Sequence, residues 1–74
     1  MIRFFLKEQM AEKGFREKCR ITLDDVARDA GISKNTLSRI SSTRGYSTTT
    51  GNLDRLCKYF ECSLSDIAVY IDDE

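Results

Sequence analysis

The sequence predicts an all-α domain of five helices arranged around a central helix-turn-helix. Three observations predict it. Apolar residues recur at three- and four-residue spacing in successive segments, residues that start and stop helices stand at the ends of those segments, and the 74-residue chain contains no proline. That length makes a single domain, residues 1–74, near the lower limit for folding without disulfides or metal.

The first helix is expected over residues 4–13, with Leu6 and Met10 one turn apart on its inner side. Gly14 is expected to end it, behind Lys13, whose charge suits the negative end of the helix dipole. Ile2 is expected to be extended before it. Residues 15–21 read as a charged loop, carrying Arg16, Glu17, Lys18 and Arg20, with Phe15 and Ile21 as apolar tethers at its two ends.

The segment over residues 22–40, TLDDVARDAGISKNTLSRI, is the most informative. Thr22 is placed to cap a second helix, and Asp24 and Asp25 put negative charge at the positive end of its dipole. Leu23, Val26, Ala27 and Ala30 share one face, and Ala27 is small where another helix must cross closely. Gly31 stands where that helix must stop, because glycine takes the left-handed conformation without steric cost. Ile32 anchors the turn. Ser33 caps a third helix whose Leu37 and Ile40 point inward. Its outer side is Lys34, Asn35, Ser38, Arg39 and Ser42, cationic or polar and free of acids. Such a face on a helix held by its partner is what reading the DNA major groove requires.

Residues 41–50 form a polar linker rich in Ser and Thr, with Arg44, Gly45 and Tyr46. Leu53, Leu56, Cys57 and Phe60 then define a fourth, amphipathic helix that starts at Thr49 or Thr50. Ser63, with Asp66 three residues on, opens a short fifth helix through a capping box. Ile67 is expected to face the core, with Val69 or Tyr70 beside it, and Asp72, Asp73 and Glu74 to form a solvated tail.

Charge refines the functional reading. Twelve basic and twelve acidic residues cancel, yet residues 1–44 hold ten of the basic and six of the acidic ones, a surplus of four positive charges. Between residues 33 and 44 there are three basic residues and no acidic one. Affinity for phosphate depends on where cations sit, so one basic face suffices.

Other classes are excluded by what the chain lacks. No run approaches the ~20 apolar residues that span a bilayer. The apolar start Ile2, Phe4, Phe5 and Leu6 is broken by Arg3 and followed by Lys7 and Glu8, unlike a secretory signal. Three cysteines, Cys19, Cys57 and Cys62, form no CxxC pair, and there is no histidine, so no metal is expected. An odd number of thiols suits a reducing cytoplasm. No nucleophile–base constellation and no glycine-rich phosphate loop is present, so no enzymatic activity and no cofactor is expected. Five helices would use the whole chain and leave no pocket for a small-molecule ligand.

The pieces DVARDAGISKNTLSRI and NLDRLCKYFECSLSDI, with Arg44, Gly45, Tyr46 and the threonines between them, resemble the Xre family of phage repressor and Cro-type helix-turn-helix regulators. The likeness is to its short, single-domain bacterial members and covers nearly the whole chain. It implies a five-helix repressor-like fold, a double-stranded DNA operator as partner, transcriptional control and a homodimer. Lys34, Asn35, Ser38 and Arg39 fall at the base-reading positions. Backbone contacts are implied from helix starts and linker, which gives Thr22, Ser33, Ser42, Arg44, Tyr46, Thr48 and Thr49 as phosphate candidates. Many relatives carry glutamine where this chain has Leu23, which cannot make that residue's phosphate contact.

Some roles stay open on the residues alone. Tyr46 can pack over the linker or touch phosphate. Thr48 and Thr49 can serve as caps only. A protein-binding helix-turn-helix, such as an antitoxin-like partner, is the rival reading, but its exposed helix should carry an aromatic or aliphatic anchor. One recognition helix reads few base pairs, so two chains are expected on a pseudo-palindrome, joined through Ile2, Phe4 and Phe5 or through Val69, Tyr70 and Ile71.

Overall fold

The computed structural model describes residues 1–72, so Asp73 and Glu74 of the expected tail lie outside the described residues. In chain order the elements are β1 (Ile2–Phe4), α1 (Leu6–Glu17), α2 (Leu23–Ala30), α3 (Lys34–Ser42), α4 (Thr50–Phe60), α5 (Leu64–Ile67) and β2 (Ala68–Tyr70). The five helices surround one core of Leu6, Val26, Ile32, Leu37, Ile40, Leu56, Phe60 and Ile67, all buried. Every expected inward-facing anchor of the helix-turn-helix is among them or packs against them. Burying a Leu, Ile or Phe side chain contributes about 1.5–3 kcal/mol, so these eight residues supply the main drive to fold.

The caps stand where the sequence puts them. The Thr22, Thr49 and Ser63 side chains engage the first turns of α2, α4 and α5, and Asp66 completes the box at Ser63. α1 differs from expectation. It runs on through Gly14 to Glu17, and its C-cap is Lys18 in the left-handed conformation at φ 55°. The chain then turns back over the helix, and the Cys19 N–H donates to the Gly14 carbonyl at 3.0 Å. Glycine serves this close approach and does not stop the helix. Phe15 consequently lies on the helix, 86% exposed, and tethers nothing, whereas Ile21 does pack against the core.

The two chain ends form a feature beyond the helices. β1 and β2 pair antiparallel with Ile2 opposite Tyr70, Arg3 opposite Val69 and Phe4 opposite Ala68. The Met1 amino group donates to the Ile71 carbonyl and the Ile71 N–H donates to the Met1 carbonyl, both at 2.8 Å. The Phe5 N–H closes the other end on the Ile67 carbonyl at 2.8 Å. β-branched and aromatic residues favour such a ribbon. Residues 68–70 are therefore strand, not a continuation of α5, and the apolar ends partly cover one another. Phe4 and Ala68 pack against the core, while Ile2 and Tyr70 remain exposed. No helix is long and apolar enough to cross a membrane among the described residues.

Candidate nucleic-acid interface

α2 begins at a capping box. The Thr22 hydroxyl oxygen accepts from the Asp25 N–H at 3.2 Å, and the Asp25 carboxylate accepts from the Thr22 N–H at 2.9 Å. These donors, the Thr22 backbone first and its hydroxyl second, hold the Asp25 carboxyl below its ordinary range. α2 ends at Gly31, φ 72°, whose N–H donates to the Ala27 carbonyl. Ile32 is buried in the turn. Arg55, on α4, donates from Nη1 to the Gly31 carbonyl at 2.8 Å and so ties the turn to the fourth helix.

α3 then starts at Ser33, whose hydroxyl oxygen accepts from the Thr36 N–H at 3.2 Å. Leu37 and Ile40 are buried beneath it. With those two fixed inward, the 100° step of the helix turns Lys34, Asn35, Ser38, Arg39 and Ser42 outward, and all five are exposed. The base-edge candidates therefore share one solvent face. Arg39 and Arg44 make no ion pair among the described residues.

The phosphate candidates divide by where their protons go. The Thr22 hydroxyl donates to Asp25 Oδ2 at 2.9 Å, and Ser33 Oγ donates to Thr36 Oγ1 at 2.8 Å. Ser42 Oγ donates to the Ser38 carbonyl at 2.7 Å. All three hydroxyl protons are spent within the protein. Thr48 and Thr49 differ: each oxygen accepts from Asn52, Thr48 from Nδ2 and Thr49 from the backbone N–H, both at 3.1 Å. Their own protons stay available to an acceptor. Tyr46 is half-buried and packs against the core. Packing is thus one of its roles.

One contact escaped the sequence reading. Lys34 Nζ lies 3.1 Å from Asp24 Oδ1, across the starts of α3 and α2, with both side chains largely exposed. α3 has no acid of its own, but its first residue meets one from the neighbouring helix. Asp24 and Lys34 each stand in the first turn of their helix, but only the way α3 crosses α2 beyond Gly31 brings those turns together.

Comparison with known proteins gives one positive finding. The profile of the Cro/C1-type HTH DNA-binding domain matches residues 6–73. No curated protein and no solved structure gives a significant match.

Proposed function

The chain belongs to the Cro/C1-type HTH family of DNA-binding domains, and from that premise we propose that it is a transcriptional regulator of the repressor kind. In this reading α3 enters the major groove of a double-stranded operator, N-terminus first. The observation that carries it is the outward face of α3: five exposed polar residues, no acid, on a helix held from below by Leu37 and Ile40. Asn35 can bridge adenine N6 and N7. Arg39 or Lys34 can donate to guanine O6 and N7, each good pair contributing about 1–3 kcal/mol of discrimination. Ser38 lies between them and can meet either base type.

Phosphate contacts would set the register. Arg44, Tyr46, Thr48 and Thr49 would meet one strand together with the free N–H groups at the start of α4. Thr22, Ser33 and Ser42 would contribute at the margins, each after releasing its internal hydrogen bond. The protein-partner reading gains nothing from α3, whose outward residues include no aromatic or aliphatic anchor. Three free thiols support a cytoplasmic setting.

We propose a homodimer on two half-sites one helical turn apart. Its surface follows the ribbon: an apolar groove lined by Ile2, Phe4, Leu53, Leu64, Val69 and Tyr70, of which Ile2, Leu64 and Tyr70 are exposed. Phe4 packs into the core, which removes it as a clean probe of assembly. Selection of bound sequences from random DNA tests the whole reading. A pseudo-palindromic sequence should be enriched; enrichment of nothing over the input pool would overturn it.

A further inference from the structure

α2 carries three carboxylates, Asp24 and Asp25 in its first turn and Asp29 in its last, and only Asp24 forms an ion pair with another helix. Asp25 closes the capping box and binds Arg28 at 3.1 Å, while Asp29 binds the same guanidinium at 3.1 Å. Both are committed within α2. Asp24 instead holds the ammonium of Lys34, at 3.1 Å, on the face that the proposed function turns toward DNA. An ion pair this exposed adds little to folding. Its consequence has to be sought at the surface.

We propose that Asp24 is a specificity-determining residue: by holding Lys34 it makes this face a poor binder of phosphate alone and widens the gap between operator and random DNA. The inference rests on reading α3 as the recognition helix. A duplex carries one negative charge per ~1.7 Å of its axis, so any approach brings the Asp24 carboxylate toward like charge. Its position in the first turn of α2 places it where a helix start would otherwise attract phosphate. On random DNA, Lys34 must leave its partner, and the attraction it gains is offset by the repulsion Asp24 suffers. At a matching site the balance differs. Lys34 donates to guanine O6 and N7 on the groove floor, and Asp24 can accept from the N4 amino group of a neighbouring cytosine. The carboxylate is compensated only where the bases are right. Removing the negative charge should therefore help random DNA most.

The test compares the full chain with Asp24→Asn, Asp24→Ser and Asp24→Glu by fluorescence anisotropy, on the selected operator duplex and on a random duplex of equal length. Far-UV melting confirms that each variant folds. Both neutral variants should bind random DNA about tenfold tighter, with a salt slope steeper by about one, while operator affinity rises less or falls. Asp24→Glu, which keeps the charge, should keep the wild-type ratio. If both duplexes shift by the same factor, or neither shifts, this inference is wrong while the reading of α3 stands. If the wild type prefers no sequence at all, the reading of α3 fails and this inference falls with it.

Discussion

A side chain at Gly14 would collide with the carbonyl of Cys19: a Cβ built there comes to 2.6 Å from that oxygen. The contact lies where the chain leaves α1 and folds back over it, and the same two residues are joined by the Cys19 N–H donating to the Gly14 carbonyl. Backbone atoms on both sides leave no flexible group to move aside. The exit from α1, and with it the path to Ile21 and the start of α2, is set by this approach.

Gly14→Ala should therefore destabilise the domain by about 1–3 kcal/mol, through overpacking. Helix propensity by itself gives the opposite sign, since alanine replaces glycine in a helix with a gain of about 1 kcal/mol. Urea denaturation separates the two. A stabilised variant would show that the close approach does not govern this turn.

Replacing Arg39 by Ala should weaken operator binding by about 1–3 kcal/mol and relax sequence preference at one position in each half-site. Its side chain is exposed and makes no ion pair among the described residues, so folding should be unaffected. Anisotropy on single-base operator variants reads the effect. Equal affinity with the same base preference would remove Arg39 from the reading surface.

Arg44 should act through charge and not through base identity. Log K should fall linearly with log salt, and Arg44→Ala should reduce the slope by about one for every sequence tested. A wild-type affinity that ignores salt would count against binding to the DNA backbone and favour the protein-partner reading.

Tyr70 is 72% exposed at the end of the ribbon, beside Ile2 and Leu64. Tyr70→Asp should abolish cooperativity on an operator with two half-sites while sparing binding to one. The substitution leaves the core intact, unlike a change at Phe4. Sedimentation with operator DNA decides the stoichiometry: one chain per palindromic site at saturation would sink the dimer.

The capping box at Thr22 has a pH signature. Hydrogen bonds from Thr22 lower the Asp25 carboxyl in the folded state, so it binds protons less readily there than in the unfolded chain. Its stabilisation is present above the unfolded value of about 4 and is lost as pH falls through the lower folded value. The melting difference between wild type and Asp25→Asn should narrow from pH 5 toward pH 2. A difference that stays constant with pH would show that the carboxylate's charge does not contribute.

Thr22, Ser33, Thr49 and Ser63 as helix starts, and Gly31 as a stop, were legible from sequence because capping acts within three or four residues. The inner face was legible for the same reason. Val26, Leu37, Ile40, Leu56 and Phe60 repeat at the helical period, and burying them leaves one outward face on α3. The candidate base-reading residues follow from that periodicity before any neighbour is known.

Other features depended on contacts between residues far apart in the chain. Gly14 looked like a stop because local rules give glycine that role, and only the returning Cys19 carbonyl shows why it is needed mid-helix. The ribbon joins Ile2 to Tyr70 through strands of three residues each, too short to leave an alternating pattern and dependent on a partner at the other end of the chain. Asp24 reads locally as a helix-start acid, and its bond to Lys34 exists only because the turn at Gly31 brings two helix starts together. Local chemistry determined the helices and the face they offer; tertiary packing decided where the chain ends meet and which charge stands beside that face, because both are set by distances that sequence separation does not record.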